Sequence, residues 1–355
     1  MHRRLNILYV AYPLLPVSEE SCGGAEQMLS VLEAEMFNRG HATFVAACSG
    51  SRVRGSVFRT GHESLRPDMF KTRDAEHQAK ILQQLKTASY NLIHDESGTF
   101  WRRAAEFETP VLATLHLPRH FCPGDAFLDL PKNLFFNCVS ESQREHFAGI
   151  PNLLGVIENG VNVDRFPFHP DKGDYLLWMG RICEEKGPHL AIEVAQNTGL
   201  PLVLAGQVFP FSYHQNYYNS KIRPHVGSTE PHISFYETPT LATKLQLLAN
   251  ARALLLPSLV DETSSLVSME AMACGTPVVG FRRGAIPEVV VDGKTGFIVD
   301  DIHQMSEAVW RTGEMNPHAC RAHVEENYSA ARMADEYERL YEIVLRHRMQ
   351  NSQAA

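Results

Sequence analysis

Two carboxylates and two cations in the C-terminal half have the types and spacing to hold an anionic ligand rich in hydroxyls. Glu262 and Glu270 stand with seven residues, TSSLVSM, between them. Thr263, Ser264 and Ser265 are residue types favoured at helix N-caps, 266–274 has helical composition, and Gly275 is a stop signal. If most of the separation is helix, rising about 1.5 Å per residue, the two carboxyls lie roughly 10–12 Å apart. A sugar nucleotide over that helix start would offer its hexose hydroxyls to Glu262 and its ribose to Glu270. The backbone amides of Ser264, Ser265, Leu266 and Val267 would then face the diphosphate. Upstream, Arg181 and Lys186 sit five positions apart in the turn GRICEEKG, which follows an apolar strand. A guanidinium grips phosphate oxygens bidentately, while an ammonium acts as a point charge.

Other candidates stand at the ends of apolar runs in the first half. His116 closes VLATLH, and His94 and Asp95 lie in LIHDES as lesser, acceptor-side candidates. Gly23 and Gly24 precede a helix-like stretch, where missing side chains let backbone approach a phosphate or sugar. Glu237 follows the strand-like run 233–236, at the edge where ligands meet a parallel sheet. No Asp-x-Asp occurs, the pattern by which a metal-dependent transferase would bridge a cation to diphosphate. No metal site and no cofactor are expected; Arg181, Lys186 and the helix start would neutralise a leaving diphosphate instead.

Apolar strands alternating with helices must place these groups. The first half reads as strands near 5–11, 43–47, 91–94, 111–116, 135–140 and 153–157, with helices near 25–38 and 75–88. The second half repeats the alternation, with strands at 175–179, 201–206, 233–236, 253–257 and 276–281. Such alternation predicts α/β architecture with doubly wound parallel sheets. A polar stretch with two prolines, 167–174, marks the boundary. The expected layout is an acceptor-side domain over 1–167, a nucleotide-sugar domain over 168–327, a terminal helix over 328–349 and a tail over 350–355. Tyr337, Leu340, Ile343 and Val344 recur at helical spacing and are expected core contacts of that helix. The aromatic-rich insert 207–226 either packs down on its own loop or offers rings to a sugar or a subunit.

These motifs resemble the family 4 retaining glycosyltransferases of the GT-B fold. The resemblance is carried by E-x7-E, EAMACGTPVV, GAIPEVV, DGKTGFIV, VIENGVNVDRF and GR-x4-KG. It implies two Rossmann-like domains facing a central cleft, with the C-terminal helix crossing back to the first. It also implies transfer of a hexosyl unit with retention, from a UDP-, GDP- or ADP-linked sugar to an unidentified acceptor hydroxyl. In that reading Arg181 and Lys186 clamp the diphosphate, Glu262 orients sugar hydroxyls, and Glu270 anchors the ribose. His116 sits near the reaction centre, and Gly23 and Gly24 form a glycine loop over the donor. Where the family commonly has Gly-Phe-Gly after the first glutamate, this chain has Thr263-Ser264-Ser265, which puts hydroxyls near the sugar.

Bulk properties agree. The chain has 355 residues, 44% hydrophobic and 21% charged, with Lys+Arg 33 against Asp+Glu 41, a net charge of −8. Such a chain is globular, and the acid excess argues against a nucleic-acid partner. Seven scattered cysteines without a C-x-x-C pair suit reduced thiols and a cytoplasmic location. No run approaches the ~20 apolar residues of a membrane helix, although peripheral membrane contact stays open. Two other readings use the same fold: a sugar-nucleotide epimerase, and a non-catalytic sugar-nucleotide-binding protein. Loss of turnover in Glu262→Ala separates the transferase from the binding protein.

Overall fold

The computed structural model describes residues 3–21, 23–64 and 66–353. Cys22 beside the glycine pair, and the last two residues of the expected tail, lie outside the described residues. The chain forms two compact units: unit 1 is Met1–Gly160 with Ala330–Ala355, and unit 2 is Val161–Ser329. No helix among the described residues is long and apolar enough to cross a membrane.

Unit 1 carries seven strands: β1 (Asn6–Val10), β2 (Ala42–Cys48), β3 (Ser56–Gly61), β4 (Leu92–Asp95), β5 (Val111–Leu115), β6 (Leu134–Cys138) and β7 (Leu153–Val156). They pair in parallel in the order β3-β2-β1-β4-β5-β6-β7. β1, β4, β5 and β6 are buried almost throughout, so they read as continuous apolar runs rather than alternating ones. β3 was not legible in the sequence. It is an edge strand, SVFRTG, with only Thr60 buried, so it lacks the apolar run of its neighbours.

The last helix, Ala330–Gln353, belongs to unit 1 and runs past the expected end at 349. Met333, Tyr337, Leu340, Tyr341 and Val344 share a core with β1 and with Leu29 and Leu32 of the helix Gly24–Asn38. Ile343 is a correction: it is 41% exposed. The inward face follows 337, 340, 341 and 344 at helical spacing, which turns 343 toward solvent. Arg39 fastens the helix by bonds of 2.6 Å to Asp335 and to Glu338.

Unit 2 carries β8 (Leu176–Met179), β9 (Leu202–Gly206), β10 (Ile233–Glu237), β11 (Ala253–Leu256), β12 (Val278–Phe281) and β13 (Gly296–Val299). They are parallel in the order β10-β9-β8-β11-β12-β13. Leu177, Leu254 and Leu256 enter one buried cluster, while Leu176, Trp178 and Leu255 enter another. Successive residues thus feed opposite faces, both covered, as an apolar parallel strand requires.

The units divide between Gly160 and Val161 and between Ser329 and Ala330, not at 167/168 and 327/328. Val161 and Val163 lie in the unit 2 core, and Val161 N–H bonds the Tyr328 carbonyl at 2.8 Å. Apolar packing therefore outweighs the polar, proline-bearing composition of 167–174 in setting the boundary. Lys172 even ties that stretch down, bonding the carbonyls of Ala249 and Cys274 at 2.8 Å each.

Candidate functional site

In unit 2, backbone contacts fix the turn after β8. Gly187 ends it at φ +66°, and a Cβ there would lie 2.1 Å from the Pro257 carbonyl oxygen at the end of β11. Glycine is required twice over, by the left-handed backbone and by the approach. Leu259 N–H bonds the Glu185 carbonyl at 2.8 Å, and Trp178 Nε1 bonds the Lys186 carbonyl at 3.1 Å. So held, Lys186 Nζ reaches both oxygens of Glu262, at 2.7 and 2.5 Å. Ser258 Oγ donates to the same carboxylate at 2.7 Å.

Glu262 is fixed from behind. Its carbonyl accepts from Ala285 N–H at 2.8 Å, and Gly284, at φ +54°, has no room for a Cβ against the Glu262 backbone. The GAIPEVV segment is thus the wall that holds the first glutamate. The side chains of Lys186 and Glu262 keep 30% and 16% of their exposure, so a ligand can reach the pair. Arg181 is exposed on the same turn and lies outside this ion pair.

The helix Leu266–Ala273 starts where expected, with Ser265 as its N-cap residue. Ser265 does not cap it with its side chain; its Oγ lies 2.6 Å from Ser268 Oγ instead. The amides of Leu266 and Val267 in the first turn have no intrahelical acceptor by helix geometry, which favours an anion there. Glu270 is buried and accepts from Lys244 Nζ at 2.5 Å. Lys244, on the helix Leu241–Asn250, was missed in the sequence. Its signal was a lone cation three residues after Leu241 and four before the buried Leu248, on the apolar side of that helix. Glu237 is exposed at the C-terminal end of β10, the strand edge foreseen for it. Glu262 and Glu270 therefore each hold a lysine, on either side of one helix N-terminus.

In unit 1, Gly23 is the N-cap residue of Gly24–Asn38, with no side-chain cap. A Cβ on Gly23 would lie 1.9 Å from Glu26 Oε2, so the bare glycine makes room for that carboxyl. Burial pushes Glu26 up to about 7, against smaller pulls from its own N–H and from His116. His116, after β5, bonds Glu96 through Nε2. Burial draws its imidazole down, but the Glu96 carboxylate more than offsets this, so the net shift is upward. Glu96 itself, although burial pushes it up, is held far below the usual range by His94 and His116.

His94 and Asp95 are not acceptor-side groups in this geometry; both are fully buried. His94 lies 2.8 Å from Tyr341 Oη, 2.7 Å from Thr114 Oγ1 and 3.0 Å from Glu96. Asp95 accepts from Ser97 N–H at 2.8 Å and from Trp101 N–H at 2.7 Å, while burial pushes it up to about 6. Both are structural residues that shape the loop carrying Glu96, which sequence reasoning overlooked.

The insert 207–226 mostly packs down. Ile222 and His214 are fully buried, and Tyr217 Oη lies 2.6 Å from His189 Nδ1, although Tyr213 is 55% exposed. The expectation of no metal site meets one group among the described residues: Cys183, Glu185 and His214 bring ligand atoms within 4.8 Å of one another.

Comparison with known proteins gives the family and the fold. The family described as glycosyl transferases group 1 matches residues 162–344, which is 183 of 355 residues. The putative glycosyltransferase YtcC of Bacillus subtilis (strain 168) is 23% identical, over 76% of this chain and 76% of its own. The glycogen synthase of Mycobacterium tuberculosis (strain ATCC 25618 / H37Rv) is 34% identical over 54% of this chain, a match that spans 50% of that relative. Among solved structures, AviGT4, a glycosyltransferase involved in avilamycin A biosynthesis, has a TM-score of 0.73 at 24% identity, covering 96% of this chain and 98% of its own. HepE of Anabaena, solved with UDP and glucose, has a TM-score of 0.75 at 16% identity, covering 96% and 100%. At such identities the likeness is one of fold: two parallel sheets on the GT-B plan.

Proposed function

Because the chain belongs to the group 1 glycosyl transferases, we propose that unit 2 binds a nucleoside-diphosphate sugar whose hexosyl unit is transferred, with retention and without a metal, to an acceptor hydroxyl. The observation that carries this is the pair of lysine-bound glutamates flanking the helix N-terminus at Leu266. In the proposal the diphosphate lies over the first-turn amides, where backbone N–H groups and the helix dipole favour negative charge. Lys186 and the exposed Arg181 neutralise the leaving group, which is electrostatic stabilisation of charge that develops during the reaction. Glu262, no longer shared with Lys186 alone, accepts from sugar hydroxyls, and Glu270 accepts from the ribose. Glu237 offers its strand end to the base.

In unit 1 we assign His116 as a substrate-touching group, its proton held by Glu96, with Gly23 and Gly24 leaving backbone open to a ligand. A uracil base is the first choice for the donor, since HepE is described with UDP and with UDP-glucose. GDP- and ADP-sugars are the competing donors, and a cytoplasmic setting belongs to the same proposal.

A panel of UDP-, GDP- and ADP-sugars tests it. One of them should raise the melting midpoint in proportion to its concentration, since ligand bound only to the folded state stabilises by mass action. The same sugar should be turned over with the anomeric configuration kept, read by NMR of the product. Turnover that Glu262→Ala leaves unchanged would remove Glu262 from the mechanism. Tight binding without turnover on any acceptor tried would favour a binding protein.

A further inference from the structure

We propose that Cys183, Glu185 and His214 form a site for a zinc-class divalent cation in unit 2. A thiol sulfur, a carboxylate oxygen and an imidazole nitrogen lie within 4.8 Å of one another. One Cys, one His and one acid make the mixed donor set of a borderline-soft tetrahedral ion, with water as the fourth ligand. Magnesium and calcium take oxygen shells and fit this set poorly.

His214 is the independent observation. It is fully buried, yet neither ring nitrogen has a hydrogen-bond partner. Buried polar side chains nearly always find one, so an orphaned imidazole beside a thiol and a carboxylate calls for a ligand. The rings of Phe211 and Tyr213 lie 5.0 and 4.1 Å from the His214 ring and shield it on the side of the insert. Cys183 is also fully buried, its thiol making a weak 3.5 Å contact with the Arg181 carbonyl and a hydrogen bond with the Glu185 carboxylate, the group that would share the ion with it. When the ion binds, the thiol proton passes to solvent, and thiolate and carboxylate together balance the dication.

Two of the ligands belong to the turn that carries Arg181 and Lys186, and the third to the helix Ser212–Tyr217 of the insert. The ion would staple the turn to the insert and position it; it takes no part in the transfer. This explains why a buried histidine sits in the aromatic segment without a protein partner.

The test is cobalt absorption spectroscopy on the tag-free full chain, stripped with chelator and titrated with Co²⁺. The wild type should develop a near-ultraviolet thiolate-to-cobalt band and visible bands of four-coordinate cobalt, both erased by Zn²⁺. Cys183→Ser should lose the thiolate band, and His214→Gln should lose the four-coordinate visible bands. Cys122→Ser, a thiol of unit 1, should leave the spectrum unchanged. A wild-type spectrum without the thiolate band, or a band that survives in Cys183→Ser, overturns the site. The wild-type spectrum decides even if a variant fails to fold. No nucleotide sugar is present, so failure here leaves the transferase reading standing.

Discussion

Unit 1 buries a cluster of ionisable groups at the C-terminal ends of its central strands. Asp95 and His94 are fully buried, Glu26 and Glu96 nearly so, and the shared Glu96 carboxylate links two histidines. Unit 2 holds two lysine–glutamate pairs, of which Lys186–Glu262 is partly open to solvent and Lys244–Glu270 is largely enclosed. The difference is one of purpose. Groups buried in a network hold the strand ends together and change protonation with pH. Charges in partly open pairs stabilise little but can be re-partnered by a ligand, since exposed ion pairs contribute only about 0–1 kcal/mol.

The largest expected effect breaks the buried network. His94→Ala leaves Thr114 Oγ1, Glu96 and Tyr341 Oη each one contact short and opens a cavity at the centre of the network, where His116 and Tyr9 remain as the other partners of Glu96 and Tyr341. Breaking such a buried network costs on the order of 3 kcal/mol. Urea unfolding should show it as a lower midpoint at unchanged slope. A midpoint matching the wild type would mean His94 is not part of the scaffold.

Glu26→Gln tests the same region through pH. Burial pushes the folded carboxyl up to about 7, against 4.5 for a free glutamate. As pH rises from 4.5 to 7 the unfolded chain loses this proton first, so the wild type loses stability across that window. The glutamine variant does not, and at pH 8 should be the more stable by an amount on the order of 3 kcal/mol. Unfolding at pH 4.5 and pH 8 measures this; a difference that does not grow with pH contradicts it.

Glu262→Gln addresses the other unit. Turnover should fall on the order of a hundredfold, the scale of losing one oriented polar group in a transition state. The unfolding midpoint should barely move, which separates this pair from the His94 network. A large loss of stability would make the pair structural instead.

The smallest effect concerns the terminal helix. Ile343→Ala should change stability by less than about 0.5 kcal/mol, as exposed substitutions do. Leu340→Ala, on the buried face, should cost about 2–5 kcal/mol. Equal costs would show that the face has been misassigned.

The sequence revealed residues whose role depends on their own neighbourhood along the chain. Glu262, Glu270 and Lys186 stand in the short motifs E-x7-E and GR-x4-KG, so the resemblance of those motifs marked them, although Lys186 meets Glu262 across 76 residues of chain. It concealed residues whose role depends on what lies across the sheet. Glu96 finds His116 only because β4 and β5 pair in register, with His94 opposite Leu112, and register follows from tertiary pairing. Lys244 reaches Glu270 from a separate helix, and His214 meets Cys183 across the insert, partnerships that no local spacing announces. The strand alternation was legible because buried parallel strands are continuous apolar runs. The edge strand β3 was not, because it has no such run.

Isothermal titration of nucleotide sugars into wild type, Lys186→Met and Glu270→Gln tests the central claim most directly. One of the UDP-, GDP- or ADP-sugars should bind the wild type saturably, and each variant should bind it at least about tenfold more weakly, a difference of about 1.4 kcal/mol. Equal affinity in all three proteins would mean that the two lysine-bound glutamates do not hold the donor.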